Sequence, residues 1–315
     1  MKKNIIPIFY ACDDSFVKYT VVSLSSIKKN ASCEYEYHIH ILNTNITKES
    51  KAMLASFADD KFKICFDDVS NKLDKILKKH RLPIRDYYSL TTYFRFFTAD
   101  MFPQYDKAIY IDGDTVVNCD ISELYNIDLG ENYLAACHDP VVDTDPFGAY
   151  VERVIGVPRA LYFNAGLMLL NCLSFRENSI FEKFLKYLEL YKFNVAQDQD
   201  YLNLIANSHT LLLDPRWNSL TASDLSFPED EAKIIHYNMV NKPWHYHNCK
   251  CADIFWKYAK DTCVYNCLVT QLDNYTDEER QRDMSSAEQL LQMAIDEIAR
   301  EDNFFNVWGD KLPLV

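Results

Sequence analysis

The sequence predicts an α/β protein. It should carry a single, mainly parallel, doubly wound central sheet flanked by helices, with a small helical appendage at the C-terminus. Three observations predict this. Runs of β-formers alternate with segments of helical period through the first 111 residues. The strand-like runs at 4–12 and 107–111 both end in carboxylates, Asp13-Asp14 and Asp112-Gly113-Asp114, and ligands in such sheets sit beyond the carboxyl ends of strands. The chain of 315 residues, 48% hydrophobic and 25% charged, has the make-up of one large α/β domain or two rather than of a disordered polymer.

Each element follows from its pattern. Residues 4–12 (NIIPIFYAC) form an apolar run that reads as a buried strand, and 16–29 carry apolar residues at helical spacing. Residues 35–42 (EYEYHIHI) alternate strictly, as a strand does. A helix is expected at 48–58, a strand at 61–66, a helix at 70–80 and a buried helix at 89–100 with Ser89 as its cap. The strand 107–111 then delivers Asp112. In the second half, strands are expected at 133–137, 167–171, 209–213 and 233–236, and helices at 175–191, 198–207 and 252–267. The tail 285–300 reads as an amphipathic helix with Leu290, Leu291, Met293, Ala294 and Ile298 on one side, a docking or homodimer element.

Composition excludes several functions. A formal net charge of −13 repels phosphate backbones, so no nucleic-acid partner is expected. The ten cysteines sit mostly in apolar runs, as reduced core thiols do, and no signal peptide or membrane span is legible. A cytoplasmic protein is the expectation, with at most peripheral membrane contact because the tail is acidic. The cluster of His245, His247, Cys249, Cys251, Cys263 and Cys267 does not have zinc spacing and reads as packing.

The chemistry centres on AIYIDGDTVV. Alternate residues on an extended segment point the same way, so Asp112 and Asp114 repel each other unless a cation lies between them. Oxygen ligands suit Mn²⁺ or Mg²⁺, and such ions recruit phosphates. A polar turn is the plain alternative. Later, KIIHYNMVNKPWH supplies His236 at a strand end as a nitrogen ligand that suits Mn²⁺, and Lys242 as a point charge for phosphate.

Six segments in order give a specific resemblance: FYACDDSF, SLTTYFRF, AIYIDGDTVV, YFNAGLMLLN, AQDQDYLN and HYNMVNKPWH. Over residues 4–256 the chain resembles glycosyltransferase family 8, the group that includes bacterial lipopolysaccharide galactosyl- and glucosyltransferases and is related to glycogenin. The resemblance implies a GT-A type catalytic domain at 1–256 and leaves 257–315 as a helical C-terminal extension. It implies a retaining, metal-dependent transfer of galactose or glucose from a UDP-sugar to a glycan or glycoconjugate acceptor, with Mn²⁺, or Mg²⁺, as cofactor. Asp112, Asp114 and His236 match the metal ligands. Ala11, Asp13 and Ser15 match uridine contacts, with Ser15 where the family often has Asn. Arg95 matches a donor-reaching arginine, and Gly113 a point where the backbone nears the donor. Asp139, Asn164 and Ala165 match sugar contacts, and Lys242 the pyrophosphate lysine. Asp198 and Gln199 match positions beside the anomeric carbon, Asp139 and Asp198 being candidates to favour a positive sugar. Asp200 reads either as a donor-site residue or as a helix cap. One departure stands out: Met239 occupies a position that is usually glycine, where the backbone approaches phosphate.

Two other readings compete. In a haloacid-dehalogenase-type phosphotransferase, Asp112 would be the nucleophile and Asp114 the acid/base. In a catalytically decayed UDP-sugar-binding subunit, Met239 would mark the decay.

Overall fold

The computed structural model describes residues 4–79, 82, 90–309 and 311. Among the described residues, ten strands form two sheets. They are β1 (Ile5–Ala11), β2 (Glu36–Asn43), β3 (Phe62–Asp68), β4 (Lys107–Ile111), β5 (Thr115–Val117), β6 (Leu134–Cys137), β7 (Leu167–Asn171), β8 (Thr210–Leu213), β9 (Ser219–Leu220) and β10 (Ile234–His236). The central sheet has the order β3-β2-β1-β4-β7-β6-β8. It is mainly parallel, as the pattern predicts, with β7 antiparallel to both neighbours.

Both faces of the middle of this sheet are covered, which is why β1, β4 and β7 read as nearly continuous apolar runs. Side chains alternate between the two cores. Ile6, Ile8, Tyr10, Ile109 and Ile111 face one, and Phe9, Ala108 and Tyr110 the other. Helix Val17–Asn30 packs on the first side, with ten of its residues buried. The second side is filled by aromatic residues of 93–97, by helix Ile180–Leu190 and by the C-terminal helices.

Several elements differ from the sequence pattern. The helix expected at 89–100 is a 3-10 segment, Leu90–Phe97, running into a short α-helix, Thr98–Met101; the Ser89 cap lies outside the described residues. The helix expected at 175–191 is two, Cys172–Glu177 and Ile180–Leu190, separated at Ser179, whose φ is 51°. The segment 252–267 likewise divides into Ala252–Ala259 and Tyr265–Asp273. The tail helix starts earlier, at Asp277, where Thr276 and Glu279 form a reciprocal capping box. Its buried stripe is Asp283, Ser286, Leu290, Ala294 and Glu297. Leu291, expected on the apolar side, is 43% exposed because it lies one residue, about 100° of helix, off that stripe. Among the described residues, no helix is long and apolar enough to cross a membrane.

Of the second sheet, β10 was legible as the strand expected at 233–236, whereas β5 and β9 are too short to show a period, yet this sheet positions the site. β10 pairs antiparallel with β5, placing His236 opposite Thr115, and runs parallel to β9. The Tyr237 amide donates to the Asp114 carbonyl at 2.9 Å. The turn that joins β4 to β5 is Asp112-Gly113-Asp114, and it rests on helix Val17–Asn30. A Cβ at Gly113 would stand 2.4 Å from the buried Thr20 Oγ1. Gly113→Ala is therefore expected to destabilise the fold by about 1–3 kcal/mol through overpacking. The double variant Gly113→Ala/Thr20→Ala should recover most of that loss in urea unfolding, and no recovery would refute this account of the glycine.

Candidate active site

A cleft of about 490 Å³ opens at the carboxyl ends of β1 and β4. The structure brings to it Ala11, Asp13, Ser15, Arg95, Asp112, Gly113, Asp114, Asp139, Asn164, Asp198, Gln199, His236, Met239 and Lys242. Ala165 and Asp200, also singled out from sequence, do not line it.

At its base, ligand atoms of Asp112, Asp114 and His236 lie within 4.8 Å of one another. Among the described residues, this is the one such group of histidine, cysteine and carboxylate side chains. Chain reversal through β7 puts Gly166 beside it, its carbonyl accepting from the Asp112 amide at 2.8 Å. A Cβ on Gly166 would lie 2.1 Å from His236 Cε1 and 2.9 Å from Asp112 Oδ2, so only glycine leaves this space open. Two carboxylates and an imidazole around a bare glycine fit a divalent cation of the Mn²⁺ or Mg²⁺ kind.

The two aspartates are held in different states. Asp114 lies 2.5 Å from Lys242 Nζ and 3.3 Å from His236 Nε2. Burial opposes its ionisation, but Lys242 and His236 outweigh burial and hold it well below the usual carboxylate range. For Asp112 burial dominates and raises the pKa, although Arg95 and His236 pull the other way. A cation between them would favour the charged form of both.

Arg95 is buried. Its NH2 group meets Asp112 Oδ1 at 3.1 Å, its Nε lies 3.0 Å from Asp198 Oδ2, and NH1 donates to the Ala165 carbonyl at 2.5 Å. Its guanidinium carbon stands 4.7 Å from the Tyr110 ring centre. Burial lifts the Asp198 carboxyl to about 6, with Arg95 opposing the rise. Asp198 is therefore an ion-pair partner inside the cleft wall rather than a freely presented carboxylate.

A chain of buried amides joins the metal-type cluster to the rest of the cleft. Asn218 Oδ1 lies 3.2 Å from His236 Nδ1, and Asn218 Nδ2 donates to Asn164 Oδ1 at 3.0 Å. Asn164 Nδ2 donates to Asp139 Oδ2 at 3.0 Å, and the same oxygen accepts from Gln199 Nε2 at 3.0 Å. Gln199 Oε1 in turn accepts from the Ala165 amide at 3.0 Å. Asn218 Oδ1 can only accept, so it pairs with a proton on His236 Nδ1 and leaves Nε2 facing Asp114. Sequence reasoning missed Asn218, since PRWN carries no motif.

At the other end, Asp13 Oδ1 accepts from the Ser15 amide at 3.0 Å, the Ser15 hydroxyl at 2.5 Å and the Phe16 amide at 3.3 Å. This acidic turn leads into helix Val17–Asn30, so Asp13 and Ser15 are locked to each other at the cleft edge. Met239 takes the left-handed backbone that glycine adopts easily, with φ of 59°. A methionine holds that backbone at a cost of about 1–2 kcal/mol.

Asp200 is turned away from the cleft into the core. It accepts from Tyr150 at 2.8 Å, Tyr162 at 2.7 Å and the Ala196 amide at 2.9 Å. Burial raises its pKa to about 6, moderated by the Tyr162, Ala196 and Tyr150 hydrogen bonds. With the folded value above the ordinary 3.8, its stabilising contribution is complete below about pH 4 and is lost as pH rises through 6. Against Asp200→Asn, which lacks this titration, the wild type should lose about 3 kcal/mol of relative stability over the full range. Roughly half of that loss falls between pH 5 and 8. Urea unfolding of both proteins at those pH values measures it, and parallel pH profiles would rule it out.

Comparison with known proteins bears on the family and the fold. Residues 7–248 match the family model described as "Glycosyl transferase family 8". A putative glycosyltransferase of Haemophilus influenzae is 32% identical over 286 residues, covering 86% of this chain and 79% of that protein. The lipopolysaccharide 1,2-glucosyltransferase of Escherichia coli is 26% identical, covering 78% and 75%. Two crystal structures of the galactosyltransferase LgtC superpose with TM-scores of 0.68 and 0.66 at 26% identity, covering 82% of this chain and 96% of theirs. One is an active-site variant and the other holds donor and acceptor sugar analogues. The fold is thus of the GT-A type, and the phosphotransferase reading of Asp112 falls away. The chain belongs to glycosyl transferase family 8 and is a glycosyltransferase.

Proposed function

We propose that the protein transfers a hexose, galactose or glucose, from a UDP-sugar to a glycan or glycoconjugate acceptor, with retention at the anomeric carbon. The observation that carries this reading is the convergence of Asp112, Asp114, His236 and Lys242 at one end of a cleft whose wall is Asp139, Asn164, Asp198 and Gln199. Asp112, Asp114 and His236 would hold Mn²⁺, with Mg²⁺ as the alternative. Bound there, the ion supplies positive charge against a pyrophosphate. The E. coli glucosyltransferase and the LgtC galactosyltransferase support a hexose. Residues 1–256 form the catalytic unit in this reading and 257–315 a helical extension. A cytoplasmic enzyme with at most peripheral membrane contact is part of the same reading.

The chain's own groups account for the steps. Ala11, Asp13 and Ser15 take the uridine. Lys242, now on Asp114, turns its ammonium to the pyrophosphate and stabilises the charge that grows as the sugar–phosphate bond breaks. Asp139, fixed by Asn164 and Gln199, and Asp198, fixed by Arg95, favour the positive character that develops on the sugar. The acceptor hydroxyl attacks the face from which UDP departs. Its oxygen bonds to the anomeric carbon and its proton passes to a UDP phosphate oxygen. Gln199 is a poor nucleophile, and Asp198 is tied to Arg95, which favours this same-face course over a glycosyl-enzyme intermediate.

A UDP-release screen across UDP-sugars with Mn²⁺ or EDTA tests the reading. Release should require the metal, and Asp114→Ala should lower it about 100-fold or more. Equal release in EDTA would refute the metal assignment, and UDP binding without any turnover would favour a binding subunit. Asn218→Ala should weaken Mn²⁺ binding about 10–100-fold by calorimetry, since it frees the ring that His236 presents. Unchanged affinity would show that Asn218 serves packing alone.

A further inference from the structure

The residues assigned to the donor all lie within the family-matched span 7–248, but one wall of the cleft does not. Asp283, Ser286, Ala287 and Leu290 of helix Asp277–Ala299 line it. Their spacing of three and four residues puts them on one helix face. The helix is pinned at both ends. The buried Asp283 carboxylate accepts from Tyr246 at 2.7 Å and Tyr275 at 2.8 Å, and Tyr246 lies four residues past Lys242. Toward the other end, Leu290 and Ala294 are buried in the core that also holds Val142, Tyr150 and Val151. The cleft is chemically divided. Its polar part is the carboxylate, histidine and lysine cluster, whereas Val141, Phe147, Ala196 and Ala287 give it an accessible apolar part.

A nucleotide diphosphate and its cation match the polar part and not the apolar one. A pyranoside matches the apolar part, because one face of a sugar ring presents mainly C–H groups and packs on aliphatic and aromatic side chains. We propose that the C-terminal helix is the acceptor-specificity wall, with Ala287 and the neighbouring Phe147 receiving the C–H face of an acceptor pyranose. This rests on the transferase reading above. It gives acceptor choice to a segment outside the span that carries the donor machinery.

Ala287 is exposed on the cleft side, so a large side chain there narrows the cleft without entering the core. The test measures Mn²⁺-dependent UDP release from a UDP-hexose, first with water alone and then with lactose, maltose, cellobiose and their octyl glycosides. Ala287→Trp should lower the ratio of pyranoside transfer to hydrolysis about tenfold, chiefly through acceptor KM. Leu291→Trp, on the neighbouring solvent face of the same helix, should leave that ratio unchanged. An unmoved ratio in Ala287→Trp, equal effects of the two variants, or no stimulation of the wild type by any pyranoside would each overturn the proposal. Absence of UDP release from the wild type under every condition would instead sink the transferase reading, and the proposal with it.

Discussion

Arg95 sits inside the protein and meets carboxylates from two distant parts of the chain, Asp112 at the end of β4 and Asp198 at the start of helix Asp198–Ala206. The cleft gathers Asp112, Asp114, Asp139 and Asp198 in a chain whose net charge is already −13. Buried carboxylates that close together cannot all ionise without compensating charge. Arg95 and Lys242 divide that work, one for Asp112 and Asp198 and the other for Asp114. Loss of either partner of such a buried pair costs about 3–5 kcal/mol, because the remaining charge is stranded. The eight-residue 3-10 segment that carries Arg95 is longer than such helices usually run. It buries Tyr93, Phe94, Phe96 and Phe97 around the arginine, so the guanidinium is aimed by packing and not by its own flexibility.

The rest of the site follows from that fixed charge pattern. The side chains from Asn218 through Asn164 to the Asp139 carboxylate and Gln199 are each satisfied by the next, which leaves few alternative arrangements. Dipoles ordered in advance need no reorganisation when charge develops during reaction. Glycines 113 and 166 have a complementary part. Each supplies absence of volume, one against the Thr20 hydroxyl and the other against the His236 ring.

Much of this was legible in the sequence, for identifiable reasons. β1 and β4 are buried on both faces and read as apolar runs, and β2 alternates strictly. Asp112, Asp114, His236 and Lys242 stand in motifs where residue type and spacing are both constrained by charge. What stayed hidden is what depends on distant partners. β5 and β9 exist because β10 lies between them. Asn218 matters only because two remote side chains bracket it. Asp200 was readable as a cap or a donor contact, and Tyr150 and Tyr162, far off in sequence, settle it in the core. The left-handed backbone at Met239 was unexpected because side-chain chemistry disfavours it, and local propensity is a weak guide where tertiary packing decides.

The pairing of β10 with β5 also has a consequence for how the enzyme comes into being. Arg95, Asp112 and Asp114 leave the ribosome first, and His236 and Lys242 follow roughly 120 residues later. At about 5–20 residues per second, that gap lasts roughly 6–24 s. Through it the nascent chain holds clustered aspartates with neither the histidine nor the lysine to balance them. The cluster of Asp112, Asp114 and His236 is therefore incomplete on a fragment that stops short of β10.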